Sequence, residues 1–482
     1  MIDLTGYQGK TIGVLGLGRS GLSAARALNR CGAEVWAWDD DEGARSRAAG
    51  EGLAPIDLAG RDLSAVSALI LSPGIPHTYP TPHPIVDALK NAGVPVIGDV
   101  ELLVRACPDA IYVGVTGTNG KSTTTTLIGH VLETAGRHVG VGGNLGTPAL
   151  ELDALADDGV YVLEMSSYQL EITPSFACDV AILLNISADH LDRHGGMDGY
   201  VAAKKRIFEN RPDGQVAVIG IDDPVAAGIH AELAASGGRR VIAVSGNKKA
   251  PGGVYIEDGY LIDDLDCKAV RRCEIADIIS LPGAHNGQNA AATYASAMAL
   301  GVEPAQAVRG IRSYPGLAHR QEAVSVVDGV LYVNDSKATN VDATSRALAC
   351  YDFVLWIAGG RSKGDEFDAL RPYLARVREA FLIGEAAETY GTSLEGQVPW
   401  TNCGDLKTAV ERARLRALES AKHRPVVLLS PACASFDQFD NFEARGDAFK
   451  RLVRELPGHH ADTLGGSGAS PQLPGAGEEE AA

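Results

Sequence analysis

Residues 113–130 read VGVTGTNGKSTTTTLIGH: an apolar start, a glycine-studded turn, one lysine and a run of hydroxyls. The pattern predicts a strand ending at Val115, a loop over TGTNGKST and a helix beginning about Lys121. Free N–H groups and the positive dipole end at such a helix start make a ready anion site. Gly117 and Gly120 let the backbone approach phosphate oxygens, Lys121 supplies charge, and Ser122 offers a hydroxyl to Mg²⁺. The spacing is not the usual G-x-x-x-x-G-K-[ST], which would require glycine where Val115 stands. A merely capped helix would leave the Lys-Ser pair unexplained, so the stretch reads as a nucleotide triphosphate loop of non-standard spacing.

Outward from this loop, short β-branched runs alternate with turns and helical patterns, which argues an α/β fold with a parallel sheet and crossover helices. At 482 residues the chain is too long for one core, so several domains are expected. TIGVLGLGRSGLSAARAL, AEVWAWDD, AVSALILSPGI and VPVIGDV make a Rossmann-like block over 1–108. A central mononucleotide-binding block, 109–317, has strands in AIYVGVTG, GVYVLEMSS, DVAILLNISADH, QVAVIGIDD and RVIAVSG, a hairpin at GVYIEDGYLI and a late helix at AHNGQNAAATYASAMALG. A third, Rossmann-like block over 318–460 repeats the alternation. Residues 461–482, rich in Gly, Ser, Pro and Glu, have no apolar face to offset ordering entropy and are expected to be a disordered tail.

Composition narrows the partners. Hydrophobic content of 45% with 22% charged residues describes an ordinary globular chain, and no run is long and apolar enough to span a membrane. The start lacks the basic and apolar regions of a signal peptide, so a cytoplasmic protein is expected. A net charge of −18 argues against nucleic acid or an anionic membrane as partner. It also requires any phosphate site to be positive locally. Eight scattered cysteines without a C-x-x-C pair fit reduced thiols, with Cys433 read as packing.

In open α/β sheets ligands lie beyond the carboxyl ends of strands, which draws attention to Ser72, Glu164, Asn185, Asp335 and Ser430. GLGRSG, residues 16–21, satisfies G-x-G-x-x-G, with Asp39 and Asp40 about twenty residues on. Alone it would suggest a nicotinamide oxidoreductase; the same loop can hold the diphosphate of another nucleotide. A phosphoryl-transfer site needs metal ligands, and Glu164 and His190, at strand ends, are the candidates. GYVAAKKRIFEN reads as a helix with Lys204 about four turns after its start, where composition alone makes it a surface lysine.

GVTGTNGKST, EMSSYQLE, NISADHLDRHGGMDGYVAAKKRIF, LPGAHNGQNAAA, GLAHRQE and NDSKATN occur in this order, and together they resemble the Mur ligase family of ATP-dependent amide-bond-forming enzymes. The resemblance covers residues 10 to 455, and TGTNGK is the family's own form of the phosphate loop. NDSKATN with LLSPACASFDQFDNFEARGDAF resembles the branch that adds D-glutamate to UDP-N-acetylmuramoyl-L-alanine in peptidoglycan precursor synthesis. The implied chemistry is attack of the substrate carboxylate on the γ-phosphate of ATP, giving an acyl phosphate that the amine of D-glutamate then captures. Two Mg²⁺ ions are implied, which would also resolve the charge problem.

Carried over by motif, Lys121, Glu164, His190 and Lys204 are catalytic. Ser122, Glu164, His190 and a carbamylated Lys204 hold metal, because an ammonium cannot bind Mg²⁺ and a carbamate can. Gly117, Thr118, Asn119, Gly120, Lys121, Ser122, Thr123, Asn286, Asn289, Arg320 and Asp335 bind ATP, with domain closure implied. Gly18, Arg19, Ser20, Gly21, Asp39, Asp40, Ser72, Gly74 and Asn144 take the UDP substrate. Lys337, Thr339, Lys363, Ser435 and Phe442 resemble positions that hold D-glutamate, whose carboxylates want cationic and hydroxyl partners. A monomer is implied. Three rival readings stay open: the oxidoreductase, which leaves 109–460 unexplained, a P-loop ATPase switch, and another amino-acid ligase of the same family.

Overall fold

The computed structural model describes residues 2–461 except 157, 211–212, 284, 363, 365–366 and 421–423. Lys363 and residues 462–482 therefore lie outside the described residues, while Ala461, expected in the tail, ends a short strand.

Strands β1 (Thr11–Leu15), β2 (Glu34–Trp38), β3 (Val66–Leu71) and β4 (Val96–Ile97) form a parallel sheet of order β2-β1-β3-β4. The strand order reverses between β1 and β3, so the turns that follow these two strands stand where an α/β sheet opens a ligand crevice. The helix Arg19–Arg30 begins directly after the first turn and buries Ala24, Ala25, Ala27 and Leu28.

The second sheet has nine strands: β5 (Ile111–Thr116), β6 (Val139–Gly143), β7 (Val160–Glu164), β8 (Val180–Leu183), β9 (Val216–Gly220), β10 (Arg240–Ser245), β11 (Val254–Glu257), β12 (Tyr260–Asp263) and β13 (Val270–Glu274). Their order is β13-β12-β11-β10-β9-β8-β5-β7-β6, parallel from β6 through β11. β11 and β12 pair antiparallel across Asp258-Gly259, both at positive φ, the tight hairpin that EDGY suggests. One hydrophobic cluster runs from Ile12 and Val14 through Val100 and Leu103 to Tyr112, Tyr161 and Leu183, so the first two sheets share a core.

The third sheet contains β14 (Glu322–Val327), β15 (Val330–Asn334), β16 (Val354–Gly359), β17 (Val377–Ile383), β18 (Trp400–Gly404), β19 (Val426–Leu429) and β20 (His460–Ala461). The order is β18-β17-β16-β19-β15-β14-β20; β14 runs antiparallel to both its neighbours, and the pairs from β15 to β18 are parallel. Central strands such as β16, buried along its whole length, read as unbroken apolar runs because helices cover both faces. The molecule thus has the expected α/β class with mostly parallel sheets. It divides into two compact units: residues up to Cys273 together with Gly287–Ile311, and Glu274–Asn286 together with the residues from Arg312 onward.

Candidate active site

β5 lies between β7 and β8, so three carboxyl strand ends converge on the opening stretch. The helix Lys121–Thr134 starts where expected, with Gly120 in the left-handed region (φ 82°) as its N-cap. A side chain there would be strained, and its Cβ would stand 2.4 Å from Asn289 Oδ1. Asn185, just past β8, shapes the loop: its carbonyl accepts from Thr118 N (2.9 Å), and its Oδ1 from Asn119 N (2.8 Å). Lys121 Nζ lies over the loop, donating to the carbonyls of Gly117 and Thr118 at 2.8 Å each. Ser122 is buried in the helix's first turn, Thr123 is half-buried, and Asn289 Oδ1 accepts from Thr124 Oγ1 at 3.2 Å.

Register sets Glu164, the last residue of β7, level with Val115 of β5 and Gly143 of β6. It is buried, and Oε1 accepts from Asn144 Nδ2 at 2.7 Å while Oε2 has no hydrogen-bond partner among the described residues. Asn144, expected at the sugar-peptide end of the UDP substrate, is thus brought to Glu164.

Lys204 departs from its reading as a surface residue four turns into a helix. The helix begins at Met197, so Lys204 falls in its third turn, and the side chain is only 1% exposed. Tyr200 and Lys204, one turn apart, share the inward face. Lys204 Nζ donates to Gly117 O at 2.8 Å and stands 4.7 Å from the Tyr200 ring, whose hydroxyl meets Thr118 Oγ1 at 3.1 Å. Burial first, and then the Lys121 ammonium, pull its pKa down to about 7. Two lysines thus converge on the Gly117 carbonyl, which makes this loop positive inside a strongly acidic protein.

His190 is about half exposed, in the left-handed region (φ 52°), with Nε2 3.6 Å from Asp189. Its ring packs on Tyr168 at 5.3 Å; Arg193 lies 4.7 Å from the same ring, and His194 stacks on it at 5.2 Å. Tyr168 belongs to a short helix, Ser167–Glu171, fixed by a capping box between Ser166 and Gln169. Sequence reasoning missed Tyr168 and Tyr200, although both lie inside the quoted motifs. Glu171, pushed up to about 7 by burial, sits between His194 and His77 at 3.3 and 3.4 Å. Arg193 Nη1 also donates to Gly74 O at 2.9 Å, tying this loop to the turn after β3.

At the first sheet, a Cβ on Gly21 would stand 1.8 Å from Gly16 O, so glycine is required for helix and turn to touch. Gly18, the helix N-cap, has open space around it. Ser72 Oγ donates to Gly16 O at 2.9 Å, joining the turns after β1 and β3. Asp39 Oδ2 accepts from Leu17 N at 2.6 Å, and Asp40 meets His83 at 3.1 Å. Arg19 donates to Gly146 O at 3.3 Å, and Ser20 lies beside the buried Asp99.

In the second unit, Asp335 follows β15, accepts from Ser430 Oγ (2.8 Å) and Gln321 N (3.1 Å), and is pushed up to about 7 by burial, with Arg320 nearby. Asn286 Nδ2 donates to Pro282 O at 2.6 Å. Lys337 is exposed, its ammonium 5.5 Å from the Phe442 ring; Thr339 N donates to Lys337 O at 2.8 Å. Ser435 is buried, and so is Cys433, whose thiol donates to Tyr390 Oη at 3.3 Å. All eight cysteines lie among the described residues and are thiols outside any disulfide.

The chain resembles known proteins along nearly its whole length. The Mur ligase middle domain is matched over residues 115–297. The UDP-N-acetylmuramoylalanine–D-glutamate ligase of Rhodospirillum rubrum is 49% identical over 461 residues, 95% of this chain and 97% of that one. The ligase of the same name from Caulobacter sp. (strain K31) is 50% identical over 465 residues, covering 95% and 98%. Among solved structures, the UDP-N-acetylmuramate–alanine ligase of Thermotoga maritima superposes with a TM-score of 0.56 at 17% identity, over 92% of this chain and 99% of that one. A pseudomurein peptide ligase type C from Methanothermus fervidus gives 0.51 at 19%, over 93% and 100%. At such identities the last two speak for the fold alone.

Proposed function

The chain belongs to the Mur ligase family, and from that premise we propose that it joins D-glutamate to UDP-N-acetylmuramoyl-L-alanine at the expense of ATP. The product would be a cytoplasmic peptidoglycan precursor, made by a monomer with ADP and phosphate released. The observation that carries the reading is the pairing, at one strand edge, of a lysine-covered phosphate loop with a buried carboxylate that has a free oxygen.

Among the described residues no three His, Cys, Asp or Glu side chains gather as a metal cluster. A divalent ion here would therefore draw on other oxygens, and the donor set fits. Among the described residues Glu164 Oε2 is buried and unpartnered, Ser122 offers a hydroxyl, and a Lys204 carbamate would add two oxygens sharing one negative charge. His190 would serve a second ion. Magnesium, when bound, supplies positive charge against the repulsion between phosphate and an attacking carboxylate.

The chain's own groups prepare the rest. Lys121 brings charge to the β- and γ-phosphates, and the N–H groups at the helix start add theirs. Asn144 fixes one oxygen of Glu164 and leaves the other for the metal. Lys204 is suited to carbamylation because CO₂ reacts with a neutral amine: nitrogen forms the new bond to carbon and the displaced proton passes to water. A lysine drawn down to about 7 offers that amine near neutral pH, whereas an exposed one does not. Asn286, Asn289, Arg320 and Asp335 serve ATP, the turns after β1 and β3 hold the uridine diphosphate, and Lys337, Thr339, Ser435 and Phe442 hold D-glutamate.

The test is phosphate release by the purified protein with ATP, Mg²⁺ and UDP-N-acetylmuramoyl-L-alanine, offering D-glutamate, L-glutamate, L-alanine, L-lysine or meso-diaminopimelate in turn. Release that requires D-glutamate is expected. Release with a different amino acid would keep the family and overturn the substrate, and release indifferent to all five would leave a plain ATPase.

A further inference from the structure

Arg445 lies in the second turn of the helix Phe442–Arg454, between Ala444 and Gly446, where sequence alone suggests a solvated surface charge. It is instead 1% exposed. Nε donates to Ser336 Oγ at 3.0 Å, and Nη2 donates to the carbonyls of Ser336 (2.9 Å) and Cys433 (3.1 Å). Among the described residues Nη1 is buried without a hydrogen-bond partner, and it faces Gly360, where an added Cβ would come within 3.2 Å of it. Among the described residues no carboxylate lies within ion-pair distance of this guanidinium. Burial draws it down to about 10, which leaves it charged at neutral pH.

Ser336, Gly360 and Cys433 follow β15, β16 and β19, three consecutive carboxyl strand ends of the sheet apart from their order in sequence. The same turns are pinned to one another: Arg361 and Ala434 exchange backbone hydrogen bonds at 2.9 and 3.0 Å, and Ser336 Oγ donates to Phe442 O at 2.8 Å. Directly beyond these anchor points stand Lys337, Ser435 and Phe442. A buried cation without a counter-ion is costly, and a packing role would be filled as well by an apolar side chain. What an apolar side chain cannot do is hold two turns through a planar fork of donors while placing positive charge behind them.

We infer that Arg445 is a positioning residue for the incoming amino acid, clamping the turn of Ser336 to that of Cys433, itself pinned to the turn of Gly360, so that Lys337, Ser435 and Phe442 face its carboxylates together. The inference rests on the ligase reading above and adds a residue that touches no substrate. Among the described residues Asp437 is the one carboxylate acting on the guanidinium from a distance, and the dianionic amino acid, once bound, would add to its negative charge.

Phosphate release is measured for the full chain and for Arg445→Lys and Arg445→Gln, with D-glutamate, ATP and UDP-N-acetylmuramoyl-L-alanine varied in turn. Wild-type release that ignores D-glutamate would sink the ligase reading, and the clamp with it; wild-type release that requires D-glutamate leaves the variants to judge the clamp alone. The clamp predicts a D-glutamate KM raised about tenfold or more in Arg445→Gln and less in Arg445→Lys, with the other two KM values within about twofold of wild type. An unchanged D-glutamate KM, or a rise in all three together, overturns it. Should Arg445→Gln fail to fold, Arg445→Lys decides by the same criterion, since an ammonium cannot reproduce the planar fork: a selective rise of about threefold supports the clamp and none refutes it.

Discussion

At the scale of single residues, the same side-chain type takes opposite roles according to what surrounds it. Lys121 follows a glycine at a helix start, and its position over the loop can be read directly from the sequence. Lys204 cannot be read that way: a lysine beside a second lysine near a helix end looks like surface, and only the tertiary packing of Tyr200 under the loop buries it. Replacing Lys204 by Ala should abolish most D-glutamate-dependent phosphate release, and acetate, as a small carboxylate, should restore part of it. Full activity in the variant would remove the carbamate from the mechanism. Glu164 shows the intermediate case. Its position at the end of VYVLE is legible, but its neighbour Asn144 comes from a strand end twenty residues earlier, a pairing fixed by register alone.

At the scale of elements, the four strands of the first sheet and the central strands of the other two were visible as compact β-branched runs. Those that escaped are β14 (EAVSVV), the two-residue β20 and three whose composition is diluted. β6 reads VGVGG, β13 reads VRRCE with Val270 and Arg271 exposed, and β18 reads WTNCG; all three are outermost in their sheets, where one side of the strand needs no partner. Helix starts carry a second hidden feature. The helix Asp99–Ala106 opens with a carboxylate that is 1% exposed and pushed up to about 6 by burial. Neither oxygen makes a hydrogen bond of ordinary geometry, although Ser20 and the N–H groups of Val100 and Ala149 stand close enough to favour the ion in part. Because the folded-state value lies above the ordinary 3.8, this group contributes most stability below about pH 4 and loses it as pH rises through about 6, by up to about 3 kcal/mol. Asp99→Asn should therefore narrow the difference in denaturant stability between pH 5 and pH 7.5 and leave the variant the more stable of the two proteins at pH 7.5. An unchanged difference would show that another group carries it.

At the scale of the whole molecule, the chain passes between its two units three times, after Cys273, after Asn286 and after Ile311. The excursion Glu274–Asn286 is not a linker in the ordinary sense, since Ile275, Ile278 and Leu281 are all buried. Replacing Ile275, Ile278 and Leu281 together by Ala in the full chain should thus lower the urea midpoint, because it truncates three buried apolar side chains worth about 2 kcal/mol each. An unchanged midpoint would mean that the excursion adds nothing to stability. The interleaving also bears on how such a protein can be recombined. A chimera made at a single junction near residue 312 would join the body of one parent's second unit to the Glu274–Asn286 segment of the other, so that exchanging the unit intact between relatives takes two crossovers more than a simple end-to-end graft.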